Sequence, residues 1–218
     1  YVPPGAPPAA ARVATKKDDF RPLEMLRTNQ FYLIWFMYAC GAGAGLMVIA
    51  KLAAIADTQA GLALGFVLVA SLAVGNGIGR ILAGTLSDKL GRKPTIVGCL
   101  LFQAALMLLL TRATQGSALA SVPIMAVISA LIGANYGSNL ALYPSVTKDY
   151  YGLKNFGVNY GLVFTAWGIG GFALSLTAGK LYDVYQTYAV SCYLAAGLLV
   201  SAAVVASFLK PPRHLAEN

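Results

Sequence analysis

The stretch NGIGRILAGTLSDKLGRKPT, residues 76–95, joins the end of a long apolar run to a charged loop. The charge at residues 88–93 is readily placed in water at a membrane surface, where basic clusters commonly flank a spanning helix. Arg80 is different, because it precedes this cluster by about two helical turns and lies within the apolar run. The stretch therefore predicts the end of a membrane-spanning helix and a permanent positive charge inside that helix.

The composition places the rest of the chain in a membrane as well. Of the 218 residues, 58% are hydrophobic and 11% are charged, whereas about a quarter are charged in a typical soluble domain. Six apolar runs approach the roughly 20 residues that a spanning helix needs, at residues 31–50, 62–86, 95–110, 122–144, 156–177 and 188–208. We therefore expect an all-α integral membrane protein, with tails at residues 1–28 and 210–218 and a six-helix domain at residues 29–209.

The distribution of Lys and Arg predicts the orientation. Basic residues concentrate in the two tails, in the loop at residues 88–93 and in the loop at residues 148–154. The loops on the opposite side hold only Lys51, Arg112 and Lys180. Because basic loops face the cytoplasm, both termini are expected there, in a multi-pass protein of the cell inner or plasma membrane. The net charge of +8 follows from this bias and does not indicate nucleic-acid binding.

Other local patterns are weaker. The tail at residues 1–28 is rich in Pro and Ala and then basic, which predicts a disordered linker. Cys40, Cys99 and Cys192 lie in separate apolar segments without metal or redox spacing, so we expect neither metal nor cofactor. The glycines of GAGAG, residues 41–45, and the pair Gly75 and Gly79 have the small-xxx-small spacing that permits close helix packing.

The loop sequence GTLSDKLGRK, residues 84–93, resembles the signature loop of the major facilitator superfamily, which lies between its second and third spans and, in weaker form, between the eighth and ninth. Six spans are half of the usual twelve, and the tail at residues 1–28 resembles the central cytoplasmic loop. The chain therefore resembles spans seven to twelve, with the N-terminal six-helix half as its missing partner. The resemblance implies transport by alternating access, with a gating motif formed by Gly84, Asp88, Gly91, Arg92 and Lys93.

Two further stretches narrow the resemblance. NQFYLIWFMYACGAGAGLMVI, residues 29–49, and DYYGLKNFGVNYGLVFTAWGIGG, residues 149–171, are similar to the oxalate/formate antiporter family and the related monocarboxylate transporters. This implies exchange, or proton-linked symport, of small carboxylates across the bilayer without a cofactor. The partners so implied are a small carboxylate, protons in the symport case, and lipid.

Arg80 is the first candidate for the substrate site. Eight residues separate it from Asp88, which is about 12 Å of helix, against about 15 Å for half of the hydrocarbon thickness. An arginine near the midplane costs roughly 2.5–3.5 kcal/mol to insert. The aspartates of the spans lie near span ends, so a structural acid for Arg80 would have to come from the missing half. The stronger interpretation is that Arg80 binds a substrate carboxylate through its planar fork, the role that the resemblance implies for a basic residue of span eight.

Asn76 lies one turn before Arg80 on the same helix face. We expect it to orient the guanidinium or to bind substrate. Mammalian-type monocarboxylate transporters carry Asp at this position, and because Asn does not titrate, this pair lacks the group that would carry a proton. The oxalate exchanger has a second basic residue in span eleven, where this chain has Phe164 and Trp167. One cation favours a monocarboxylate such as lactate, pyruvate or formate, with a dicarboxylate exchanger as the alternative.

Polar and aromatic residues at similar depth complete the predicted site. Tyr160, Phe164 and Trp167 share one helix face in the fifth span. The other candidates are Tyr38 in the first span and Asn135 and Tyr136 in the fourth, with Asn139 and Tyr143 in the same patch. Helix packing alone is the competing interpretation of such aromatics. A membrane receptor or scaffold that does not transport is the alternative of another class. The chain offers no nucleophile–base set, so we do not expect an enzyme.

Overall fold

A computed structural model describes residues 19–62 and 65–212. These ranges form seven α-helices: α1 Pro22–Leu26, α2 Asn29–Ala54, α3 Gly65–Leu90, α4 Arg92–Leu110, α5 Val122–Tyr151, α6 Phe156–Tyr185 and α7 Ala189–Ser207. A π-helical turn, Ile55–Gln59, extends α2. Each of the six helices α2 to α7 is long enough and apolar enough to cross a membrane. The prediction of an all-α chain with six spans is therefore confirmed.

Most helices extend beyond the predicted spans. The fourth span was predicted to end at Pro144, but α5 continues to Tyr151. Likewise α6 continues to Tyr185, well past residue 177. The prediction counted apolar residues, whereas the hydrogen-bond ladder of a helix also runs through polar residues such as Lys148 and Lys180. Pro144 removes one N–H from that ladder, a loss that spanning helices tolerate.

The six long helices pack as two three-helix units, α2–α4 and α5–α7, that make matching contacts. The second helix of each unit packs along the first helix of the other, so α3 lies on α5 and α6 lies on α2, while the two third helices, α4 and α7, pack together. As a result α2 and α5 are the most buried spans, and α3 and α6 are the least buried. This is the pairing of a structural repeat.

Glycines set the spacing between the paired helices. On α3 and α5, a Cβ added at any of four glycines would collide with a main-chain oxygen of the facing helix: Gly75 with Ala130, Gly79 with Ala134, Gly133 with Leu72, and Gly137 with Asn76. Between α2 and α6, Gly43 and Gly170 meet in the same way. The close approach predicted from Gly75, Gly79 and the GAGAG run is therefore confirmed.

The predicted disordered tail is wrong for residues 19–28. This segment contains α1, and its Phe20 and Met25 are buried. Composition suggested disorder because Pro and Ala are abundant in the tail and basic residues follow, but its last ten residues dock onto the bundle with these two apolar side chains buried. Residues 1–18 and 213–218 lie outside the described part of the chain, so the prediction for them stays untested.

Candidate functional site

Arg80 and Asn76 form one polar unit on the exposed face of α3. The Nε–H group of Arg80 donates to Oδ1 of Asn76 at 3.3 Å, as expected for residues one helical turn apart. Within residues 19–62 and 65–212, no carboxylate forms an ion pair with Arg80. Its two terminal nitrogens likewise donate no hydrogen bond to this part of the chain. Within the described residues, the planar end of the guanidinium is therefore unpaired.

Close packing of α3 on α5 fixes the position of this unit. Gly137 faces Asn76 closely. A Cβ added at Gly137 would collide with the main-chain oxygen of Asn76 and would lie 2.8 Å from Oδ1 of Asn76. One turn along α3, Gly79 meets Ala134 in the same way. Because Gly137 directly follows Tyr136 in the chain, the arginine unit of α3 lies beside the segment of α5 that carries an aromatic candidate.

Tyr136 and Trp167 are joined across α5 and α6. The indole N–H of Trp167 donates to the Tyr136 hydroxyl oxygen at 2.9 Å. The indole also stacks on Phe164, with ring centroids 5.2 Å apart and planes 8° from parallel. The Tyr136 ring packs against Gly45 of α2, where a Cβ would lie 2.6 Å from Cδ2 of the ring. These contacts connect three helices through one aromatic group.

A second aromatic group continues this surface toward the end of the bundle that carries the α3–α4 loop, called the motif end below. Tyr38 stacks on Tyr143 with centroids 4.1 Å apart, and its hydroxyl lies 3.5 Å from that of Tyr160. Tyr160 in turn contacts Phe164, at 5.6 Å between centroids. We call the six residues of both groups the aromatic cluster: Tyr38, Tyr136, Tyr143, Tyr160, Phe164 and Trp167.

Asn135 does not join the aromatic cluster. Its side-chain amide donates to the main-chain oxygen of Cys99 on α4, at 2.8 Å, and the residue is buried. Asn139 turns back onto its own helix, donating to the main-chain oxygen of Asn135 at 3.0 Å. The structure thus gives Asn135 a role in packing α4 on α5. Depth along the helix suggested it as a site residue, but depth does not tell which neighbour it faces.

The predicted gating motif forms a compact charged junction. Gly91 has φ +96°, a left-handed conformation that favours glycine, and it turns the chain from α3 into α4. Arg92 then pairs with Asp88 at 2.6 Å and with Asp149, at the end of α5, at 2.8 Å. Lys93 donates to the main-chain oxygen of Ser207 on α7. The motif residues therefore tie the ends of four helices together.

The signature loop, the repeat of three helices and the six spans agree with a family comparison. A family model for the Major Facilitator Superfamily matches residues 31–218. This chain belongs to that superfamily. It is thus a multi-pass membrane protein of a transporter family, which is not a family of enzymes.

Three relatives of this superfamily member give a narrower comparison. The chain is 31% identical over 159 residues to the uncharacterized MFS-type transporter YhjX of Escherichia coli, covering 71% of the chain and 38% of that protein. It is 30% identical over 166 residues to the oxalate:formate antiporter of Oxalobacter formigenes, covering 75% of the chain and 38% of that protein. Human monocarboxylate transporter 14 is 34% identical over 94 residues, which is 43% of the chain and 18% of that protein.

In this superfamily member, three residues shape the site through contacts that the sequence patterns did not indicate. The sequence places Asp149 near a span end but does not indicate that it pairs with Arg92. Because Gly45 of α2 has no side chain, the Tyr136 ring can pack against it, and Gly137 of α5 leaves space for Asn76 of α3 in the same way. Glycine within an apolar run was the available signal for close packing, but it did not indicate which side chain would occupy the space.

Proposed function

We propose that this chain is the C-terminal half of a carrier that moves small monocarboxylates by alternating access, with Arg80 binding the substrate carboxylate. The observation that carries the proposal is the open guanidinium of Arg80. It lies well inside a spanning helix, and no acid of the described residues neutralises it. A charge so placed is expensive unless it is paired or functional, and a carboxylate is the ligand that matches the fork in shape and charge.

The contacts of Arg80 support a specific division of roles. Asn76 engages Nε, which leaves the two terminal nitrogens to donate to the two oxygens of one carboxylate. The aromatic cluster supplies a largely apolar surface for the remainder of a small substrate such as lactate or pyruvate. Its polar atoms are used mainly within the cluster, as in the Trp167–Tyr136 hydrogen bond. A substrate with one charged group therefore fits the described residues better than one with two.

The proposed orientation places the motif end and both termini in the cytoplasm. The Lys and Arg residues of the loops at 88–93 and 148–154 support it. In this orientation the Asp88–Arg92–Asp149 junction would hold the cytoplasmic ends of α3, α4 and α5 together in one state. Its opening and closing would accompany alternating access, while Arg80 keeps the anion near the midplane.

A dicarboxylate exchanger is the second candidate, because the oxalate:formate antiporter is among the similar proteins. The chain spans 38% of that protein, so a second cation could be supplied by the rest of the transporter. Within the described spans, the face of α6 beside Tyr136 presents Phe164 and Trp167 instead of a cation. We therefore rank the monocarboxylate first.

Counterflow in proteoliposomes tests the proposal. Proteoliposomes that contain the full-length transporter and are preloaded with unlabelled pyruvate should accumulate labelled pyruvate. External lactate or formate should compete with this uptake, whereas oxalate should not. Arg80→Gln, which removes the charge, should abolish accumulation, whereas Arg112→Gln, at an exposed position, serves as the matched control. Strong competition by oxalate alone would favour the dicarboxylate exchanger. Binding without counterflow would indicate a receptor.

A further inference from the structure

The segment from Asp19 to Thr28, called the strap below, binds the connection between α5 and α6. The N–H of Phe20 donates to the main-chain oxygen of Tyr151 at 3.0 Å. Oδ1 of Asp19 accepts from the main-chain N–H groups of Leu153 and Lys154, both at 3.0 Å. The carboxylate therefore lies just before the first turn of α6, where the positive end of the helix dipole favours a negative charge.

The main-chain oxygen of Phe20 is the centre of the contact. It accepts hydrogen bonds from Nδ2 of Asn155 and from Nδ2 of Asn159, each at 3.0 Å. Asn155 occupies the N-cap position of α6, and Asn159 lies one turn further on. Asn159 is fully buried at 0% exposure, although α6 is among the least buried spans. Two donors one turn apart that share a single acceptor oxygen define the rotation of α6 about its axis. Rotating α6 by one residue, about 100°, would break both hydrogen bonds.

Apolar and hydroxyl contacts hold the strap in place. The Phe20 ring meets the Tyr151 ring edge-on, with centroids 5.4 Å apart. At the other end of the strap, the hydroxyls of Thr28 and Tyr151 are 3.0 Å apart. Met25, which lies between Phe20 and Thr28 in the chain, is completely buried. The strap is thus attached at both ends to the same junction of α5 and α6.

We propose that the strap is a positioning element for α6. Asn159 directly precedes Tyr160, and Phe164 and Trp167 follow on the same helix face. The rotation that Asn155 and Asn159 define is therefore the rotation that brings the Trp167 indole to Tyr136. Asp19, Asn155 and Asn159 act on the substrate site through Trp167 and do not touch substrate. The effect on substrate rests on the proposed function, whereas the effect on Trp167 does not.

Fluorine NMR of the full-length transporter labelled with fluorotryptophan provides the readout, with the Trp167 resonance assigned as the one lost in Trp167→Phe. The double variant Asn155→Ala/Asn159→Ala should move or broaden this resonance and weaken pyruvate binding by roughly three- to tenfold. Asp19→Ala should change both in the same direction by less. Lys154→Ala is the matched control, because it keeps the main-chain N–H that Asp19 binds, and it should leave both unchanged.

A folded double variant with the wild-type Trp167 resonance would overturn the proposal, and a fall in thermal stability alone would make the strap purely structural. Should the double variant fail to fold, Asp19→Ala decides, because Asp19 is only half-buried at the surface. If pyruvate binds to no protein, wild type included, the proposed function fails. The resonance then still decides whether the strap positions α6.

Discussion

The indole N–H of Trp167 on α6 donates to the hydroxyl of Tyr136 on α5 at 2.9 Å. This hydrogen bond joins α5 to α6, the two consecutive helices whose connection the strap binds. It also places two large amphipathic side chains side by side, and Gly137, the residue after Tyr136, packs against Asn76 of α3. We expect the geometry of this pair to affect substrate affinity more than overall stability.

Tyr136→Phe removes the acceptor and leaves the indole N–H without its partner. Without this bond the indole is no longer fixed beside the proposed site, and we expect substrate affinity to fall by roughly fivefold, which corresponds to about 1 kcal/mol. Binding of labelled pyruvate to the purified transporter measures this. Tyr193→Phe, at an exposed position on α7, is the matched control and should bind as wild type. Equal affinities for the two variants would contradict the assignment of Tyr136 to the site.

Arg80→Lys keeps the positive charge but replaces the planar fork by a point charge. We expect most of the transport to be lost, at least tenfold in initial uptake rate, because one substrate contact of about 1.4 kcal/mol or more is removed. Arg112→Lys is the same chemical change at an exposed site and should have no effect. Near-normal uptake by folded Arg80→Lys protein would show that fork geometry is unimportant.

Asn76→Asp introduces a titratable group one turn before Arg80, at the position where Oδ1 now contacts Nε. The ionised form should pair with the guanidinium and compete with a substrate carboxylate. Protonation of the new carboxyl at low pH removes this competitor, so binding should be weakened near neutral pH and recover as the pH falls. The measurement is affinity across a pH series in which the substrate stays ionised. A variant that follows the wild-type curve throughout would disprove the placement of the anion beside Asn76.

Asp88→Asn and Asp149→Asn each remove one of the two acids that Arg92 binds. Both should slow turnover more than they weaken equilibrium binding, because the junction lies about 12 Å from Arg80. Asp149→Asn should have the larger effect. Asp149 is 37% exposed against 68% for Asp88, and pairs that are more exposed contribute less. Asp183→Asn, near the far end of α6, is the control. Equal losses of binding and turnover would indicate misfolding.

Gly79→Ala tests the close contact of α3 with α5, because the new Cβ would collide with the main chain at Ala134. Overpacking of this kind costs about 1–3 kcal/mol, which should lower the thermal unfolding midpoint in detergent. Gly77→Ala is the matched control on the same helix, since nothing lies within 4 Å of its added Cβ. It should leave the midpoint unchanged or raise it, because Ala favours the helix. Identical midpoints for the two variants would contradict this packing.

The sequence by itself determined the features that depend on neighbouring residues in the chain. The six spans follow from runs of apolar residues, because each spanning helix satisfies its backbone hydrogen bonds internally. The signature loop and its Asp88–Arg92 pair lie within one short stretch. The distance of Arg80 from Asp88 along α3 follows from helical rise alone. These properties need no knowledge of the partner helix, so a linear pattern suffices to predict them.

Only the tertiary structure decided which residues meet across the chain. Asn135 and Tyr136 are adjacent in sequence, yet one packs toward α4 while the other reaches Trp167. The docking of Phe20 on Asn159, 139 positions away, was hidden within a tail that composition marked as disordered. Such contacts depend on the rotation of each helix and on where glycine permits close approach. In an apolar environment nearly every helix face is hydrophobic, so the sequence pattern carries little information about which face packs against which neighbour.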